Sequence, residues 1–385
     1  MKSKRIFLTF SIVFVLSFAS AVIIGAQELK FDGYINSGIG VYSTDVDGEN
    51  TQFMAYGVDS ERNIGRFRLN GAYTSESKIY GANFRFQVQG ANKQNIVAVP
   101  FAYGWLKPHD IINIKFGLVD DGTWATADFL FNDDQGEGAG VLARITPIAG
   151  LDFGVGAYIA DFDSGSNNNV FPSMATTLNW WDAKYTVNLA YTMDKIFRFM
   201  ASFRNENTLA GNAYPGTAQA LMEFRFLAVN NLTAVFVGQF NNLGENFIDA
   251  GTINIYETAG YKMGDLNFGL NAAQYFPIRQ GGDFGLHINP WVSYALFKGK
   301  FVPRLDVNYF IAGEQNGTNY NRKALRIPSN GVINTDDFVF STRPSLKFNL
   351  DSRNFIEIGD AIYYQEKNGS NKLSNVFYLD FVVRF

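Results

Sequence analysis

Apolar and polar side chains alternate at every second position over stretch after stretch of this chain. Phe377, Leu379, Phe381, Val383 and Phe385 take one parity, while Asp380 and Arg384 take the other. Tyr80, Ala82, Phe84, Phe86 and Val88 oppose Asn83, Arg85, Gln87 and Gln89. Phe197, Phe199, Ala201 and Phe203 oppose Arg198 and Arg204, and Leu305, Val307 and Tyr309 oppose Arg304, Asp306 and Asn308. Similar runs surround Arg66, Arg68 and Asn70, and Ser341, Arg343 and Lys347. Successive side chains of a strand point to opposite faces, so each run predicts a strand with one hydrocarbon face and one wet face. A half-buried soluble sheet also alternates, but its polar face is more often Lys, Glu and Thr than repeated Arg and Asn. Each run spans about ten residues, the length a tilted membrane-crossing strand needs.

The connections alternate as well. Short ones fall at 74–77, 107–110, 146–150, 193–195, 230–231, 262–265, 298–300 and 351–354. Longer polar ones fall between them, at 43–63, 90–95, 120–138, 161–173, 205–216, 241–251, 277–283, 313–335 and 366–372. Short and long connections in strict turn predict an all-β, closed antiparallel up-and-down transmembrane β-barrel. Nine long and eight short connections give about 18 strands, with 16 as the alternative if weak strands are over-counted. Residues 174–193 enter this count as one long strand. Pro100, Pro290, Pro303 and Pro344 fall inside predicted strands, where each removes a ladder donor, so they belong at bulges or strand ends.

Lys2, Lys4 and Arg5 precede an apolar run from Ile6 to Ile24, followed by Gly25 and Ala26. A basic start, an apolar middle and small residues near the end predict a signal peptide over 1–26, with cleavage after Ala26 or, alternatively, Ala21. The barrel domain then occupies 27–385. There is no cysteine, which excludes a lipoprotein anchor and a disulfide framework. Removing the leader takes the chain from 32 basic and 36 acidic residues to 29 and 36, a formal charge of −7. That charge argues against a nucleic-acid partner. Aromatic residues make up 16% of the chain at a mean hydropathy of −0.06, a balance that suits strands with one lipid face and one wet face.

Chemistry finds little material. His109 lies in a short turn, and His287 sits between Leu286 and Ile288 on the wet parity. Two histidines and no cysteine support neither a catalytic set nor a metal site, so neither an enzyme nor a cofactor is expected. Asp45, Asp47 and Glu49 could hold calcium, but a solvated loop accounts for them.

The segment 120–138 carries more. It reads Asp120-Asp121-Gly122-Thr123-Trp124, then Asp128-Phe129-Leu130-Phe131-Asn132-Asp133-Asp134, then Glu137. Trp124, Phe129, Leu130 and Phe131 are poorly suited to a freely solvated loop. In position after the fifth strand, in length and in acidity it resembles the third long loop of general bacterial porins. The run Phe377, Leu379, Phe381, Val383, Phe385 likewise resembles the carboxy-terminal insertion signal of bacterial outer-membrane barrels. The porins' usual Pro-Glu-Phe-Gly-Gly type sequence is absent, so the resemblance is to the architecture and not to a subfamily.

The resemblance implies a water-filled outer-membrane pore for small hydrophilic solutes or ions, inserted into lipid by the barrel-assembly machinery, with a homotrimer as the family's assembly. Asp120, Asp121, Asp128, Asp133, Asp134 and Glu137 would line a constriction. The opposite wall follows from parity: Arg66, Arg68, Arg85, Lys115, Arg144, Arg198, Arg204, Arg225, Arg304, Arg343 and Lys347 alternate with lipid-facing residues. Arginine facing lipid would cost about 2–4 kcal/mol at the midplane, so these side chains belong to the lumen. The rival reading is a surface adhesin or structural barrel acting through long loops such as 313–335.

Overall fold

The computed structural model describes residues 26–44, 50–56, 66–91, 94–131, 134–158, 184–205, 218–244, 247–311, 313, 338–367 and 370–385. Residues 1–25 of the expected leader, the acidic cluster at 45–49, Asp133, all of 159–183 and 206–217, and 314–337 lie outside them. The first part of the wall is β1 (Ala26–Thr44), β2 (Asn50–Tyr56), β3 (Arg66–Ser75), β4 (Tyr80–Ala91), β5 (Gln94–His109), β6 (Ile112–Val119), β7 (Gly138–Ile148), β8 (Leu151–Tyr158) and β9 (Lys184–Met193). It continues as β10 (Phe197–Asn205), β11 (Ala218–Phe226), β12 (Leu232–Leu243), β13 (Thr252–Met263), β14 (Leu266–Pro277) and β15 (Gly285–Tyr294). The last four are β16 (Phe301–Ile311), β17 (Phe338–Asn349), β18 (Phe355–Lys367) and β19 (Ser370–Arg384).

These 19 strands form one antiparallel sheet that closes on itself. β2 and β3 share one edge of β1: β2 pairs with Gly38–Thr44, and β3 with Ala26–Asn36. The circumference is therefore that of an 18-strand barrel. Closure runs from Tyr34↔Arg384 to Thr44↔Ser374, and Gly33 and Phe385 exchange both backbone hydrogen bonds at 3.0 Å.

Parity decides inside from outside. Outward residues such as Phe84, Phe203, Leu305, Phe340 and Phe381 keep about 40–50% of their surface exposed. Residues of the opposite parity on the same strands, such as Gln87, Ser202, Asp306, Ser341 and Asp380, are buried on the inner face. Near mid-strand, Glu257 and Asp360 share the outward parity, and Asp360 accepts a hydrogen bond from Asn375 Nδ2.

The eight short connections sit where the alternation placed them. Two of the expected long ones do not. Backbone pairing continues to Ala91↔Gln94 and to Lys367↔Ser370, so only two residues separate β4 from β5 and β18 from β19. Backbone pairing does not depend on side-chain alternation, so a ladder can run on past the last alternating residue.

The prolines find tolerant positions. Pro100 lies in a bulge where Phe86 of β4 faces both Val99 and Pro100 of β5. Pairing is interrupted around Pro290 and around Pro344. Beside the first gap, Asn289 Nδ2 donates to Val307 O at 3.0 Å and replaces a missing ladder bond. Pro303 lies two residues into β16.

Candidate functional site

The connection between β6 and β7 follows the fifth wall position, counting β2 with β3. Local bonds shape it first. Asp121 Oδ1 accepts from Thr123 N at 3.1 Å and caps a single 3₁₀ turn, Gly122–Trp124. Asp128 Oδ1 accepts from Leu130 N at 2.8 Å and Phe131 N at 3.1 Å. Asp134 Oδ1 accepts from Gly136 N at 2.8 Å, and Gln135 N donates to Trp124 O. Short acidic side chains thus fold the segment by capping its own amides.

The folded segment then lies against the inner face of distant strands. Trp124 is fully buried beside Gly154 of β8 and Gly136. A Cβ on Gly154 would come within 2.7 Å of the indole, so only glycine leaves room there. Phe131 stacks on Tyr256 of β13 at 4.5 Å between ring centroids and 15° between planes. Leu130 and Phe131 pack against a buried inner cluster that includes Leu142, Met200, Leu221 and Val237. This apolar bed accounts for Trp124, Leu130 and Phe131, three of the four bulky apolar residues in an acidic loop.

Polar bonds fasten the same segment further round the wall. Ala127 N donates to Glu223 Oε2 of β11 at 2.6 Å. Phe129 N donates to Thr258 Oγ1 of β13 at 3.1 Å, and that hydroxyl lies 2.8 Å from Asp128 Oδ2. Arg144 Nη1 donates to Thr123 Oγ1 at 2.6 Å. Arg198 donates to Thr123 O, and Arg225 Nη2 to Ala125 O at 2.9 Å. The segment therefore runs from β6 along the inner face to β13.

The basic residues separate into groups. Arg66 donates to Tyr34 OH, Arg68 to Gln87 Oε1 through two nitrogens, and Arg85 to Asn70 Oδ1. These bonds go to neutral groups; Arg85 also reaches Asp120 at 3.9 Å, and Asn70 donates on to Asp32. Lys115 and Arg144 face Asp121 at 3.2 and 3.6 Å. Arg198 and Arg225 both pair with Glu223. Arg304 and Arg343 both pair with Asp306 at 2.7 Å. Lys347 stands over the Phe355 ring at 4.1 Å, and Arg204 shares the inward parity of β10.

The acids separate too. Asp120 and Asp121 face basic side chains, whereas Asp128 is turned toward Thr258 and its own loop, and Asp134 toward its own turn. Glu137 leads into β7. Burial pushes the Asp128 carboxyl up to about 6, against the opposing pull of its bonds to Thr258, Leu130 and Phe131. Burial pushes Asp134 up to about 8, and Asp120, Glu137 and Asp121 nearby add to it. His287 Nε2 is 3.0 Å from Asn308 Oδ1 within the wall, and His109 ends β5, where its Nδ1 accepts from Ile111 N at 3.4 Å.

Aromatic groups on β5 and β1 complete the site. Arg85 lies over Phe101 at 4.5 Å and Lys115 over Tyr103 at 4.8 Å, while Arg68 lies over Tyr34 at 5.2 Å. Glu223, Thr258, Tyr256 and Gly154 are the participants that sequence reasoning did not place at this loop. Their inward parity was readable, but nothing local marks a contact with a segment 96 or 130 residues away.

Together these features make a closed 18-strand antiparallel β-barrel with one connection folded against its inner face. No family model matches the chain, and no curated protein matches its sequence. Solved structures do match in fold. The outer membrane protein OpdK of Pseudomonas aeruginosa aligns with a TM-score of 0.58 at 10% identity, over 94% of this chain and 100% of its own. OccAB1 of Acinetobacter baumannii gives 0.60 at 9% identity, over 94% and 97%. OpdQ of Pseudomonas aeruginosa gives 0.57 at 10%, over 93% and 99%. At such identities the likeness shows the fold alone.

Proposed function

We propose that the protein is an outer-membrane diffusion channel whose loop 120–138 narrows a water-filled lumen. The observation that carries this reading is the course of that loop. Its backbone is fastened to β10, β11 and β13, so it lies inside the barrel instead of above it. It makes no covalent chemistry available, and selection by charge and width is what such a lining can do. The 1–26 segment serves as the export signal, and lipid surrounds the outward apolar face. The trimer and the assembly machinery come from the porin resemblance.

The arginine trio suggests what passes. Arg66, Arg68 and Arg85 stand on adjacent strands at the base of the loop, with hydrogen bonds to neutral side chains. Planar guanidinium groups so placed offer a station for an anionic group such as a carboxylate. One structural neighbour has been solved with vanillate, a carboxylate. Solutes bearing a carboxylate are therefore the class to test first.

Planar-bilayer recording tests the reading. Purified protein should give discrete conductance steps, and deleting 122–136 should enlarge them. A silent barrel, or one whose conductance ignores the deletion, would reject the channel and favour the adhesin.

A further inference from the structure

Arg198 and Arg225 look at first like two more cations for the solute. They occupy directly opposed positions on β10 and β11, in the register pair Arg198↔Arg225. Like charges opposite one another on the same face of a sheet repel, so the pair needs a reason to persist. Glu223 lies two residues from Arg225 on the same face, and its carboxylate is fully buried between them. Oε1 accepts from Arg198 Nη1 at 2.6 Å and from Arg225 Nε at 2.5 Å. The other oxygen accepts from Ala127 N of the loop at 2.6 Å. Each guanidinium also donates to a loop carbonyl, Thr123 O for Arg198 and Ala125 O for Arg225.

We infer that Arg198, Glu223 and Arg225 form a clasp that sets the position of the constriction loop, with Glu223 as its central positioning residue. The inference rests on the channel reading for its consequence, though not for its geometry. Three successive odd-numbered loop residues, Thr123, Ala125 and Ala127, are each gripped through the backbone, so the grip is independent of their side chains. Charge-assisted bonds are about twice as strong as neutral ones, which suits an anchor more than a solute contact. The clasp also spends both arginine charges on one carboxylate and two carbonyl dipoles. The chain's lumen cations therefore divide by role: Arg66, Arg68 and Arg85 serve the solute, while Arg198 and Arg225 serve the loop.

Hydrogen exchange and bilayer recording on the same detergent-purified protein test this. In the wild type, the Ala127 amide should be among the slowest to exchange within 121–131. In E223Q it should exchange faster by roughly tenfold, the loss of one charge-assisted bond. E223D, which keeps the charge but shortens its reach, should show a smaller rise. In recordings, E223Q should widen the spread of open-channel currents and shift the reversal potential toward anions. The double variant R198Q/E223Q restores the cluster's net charge and should return the reversal potential while the current spread stays wide. Fast exchange at Ala127 in the wild type, or unchanged exchange in E223Q, would overturn the clasp. A wild type that exchanges as expected but does not conduct would reject the channel reading and leave the clasp standing.

Discussion

Phe385 and Gly33 close the barrel against each other. Each donates its backbone N–H to the other's carbonyl at 3.0 Å, and the Phe385 ring covers the glycine so closely that a Cβ there would lie 2.9 Å from it. The aromatic thus fills lipid-facing space that Gly33 leaves open while its backbone finishes the β1–β19 ladder. Deleting Phe385, or replacing it with Asp, should lower the yield of heat-modifiable folded barrel several-fold. Barrels that do form should conduct normally, since the ring is outside the lumen. Undiminished yield in outer-membrane fractions would show that the contact does not govern closure.

Face assignment can be tested by charge. Lysine at Phe84 or Phe340 places an ammonium in hydrocarbon and should cost about 2–4 kcal/mol near the midplane. At Gln87 the outcome should differ, because Arg68 already donates to that amide from two nitrogens at 2.9 and 2.7 Å. Gln87→Glu turns this contact into an ion pair and should leave the unfolding midpoint unchanged or raised. Equal loss of stability in the two sets, read by urea unfolding in detergent, would mean that inside and outside have been confused.

Trp124 is held between two glycines, Gly136 of its own loop and Gly154 of the wall strand β8. Replacing Gly154 with Leu puts a side chain where the indole now lies, and overpacking of this kind costs about 1–3 kcal/mol. The least costly relief is to push the loop off β8, because the strand itself is fixed by pairing on both edges. Single-channel conductance should therefore change in Gly154→Leu more than in Gly156→Ala. A wild-type conductance in Gly154→Leu would show that Trp124 does not register the loop.

Much of this was legible in the chain, for a physical reason. A strand in a barrel wall has lipid on one side and water on the other, so every residue reports its face. That is why the eight short turns and the inward parity of Arg198 or Arg343 could be read directly. The strand β2 was not seen, because Asn50–Tyr56 leans on β1 inside a long connection and shows no sustained alternation. Partners inside the lumen were equally hidden. Glu223 announces that it faces inward, but its bond to Ala127 depends on how a loop from another part of the chain folds. The proposed division of the arginines, with Arg198 and Arg225 holding the loop, depends on contacts that appear only in that fold.

Asp128 gives the loop a titration near neutrality. Burial raises its carboxyl to about 6, above the ordinary value of 3.8. A folded-state value raised this way means the neutral form is favoured in the folded loop, and any stability it lends is lost as pH rises through about 6. Above that pH the lumen gains a negative charge. Reversal potential should therefore move toward cations between pH 5 and pH 7, and Asp128→Asn should remove that step while leaving the conductance steps intact. An identical pH profile in the variant would assign the titration to another group.

The last test separates the two kinds of arginine. Arg66, Arg68 and Arg85 hydrogen-bond to Tyr34, Gln87 and Asn70, so removing their charge leaves no buried carboxylate stranded. Arg198 and Arg225 share one fully buried carboxylate, and removing either loosens an ion cluster. Neutralising the trio with Gln should shift the reversal potential toward cations with little change in unfolding midpoint. Neutralising Arg198 or Arg225 should do the reverse, lowering stability while moving selectivity less. The trio's effect should shrink at 1 M salt, where the screening length falls to about 3 Å, whereas the stability loss at the clasp should persist because buried pairs are screened far less. If all five substitutions gave one graded series in selectivity, the lumen would carry a uniform basic lining and the division of roles would be wrong.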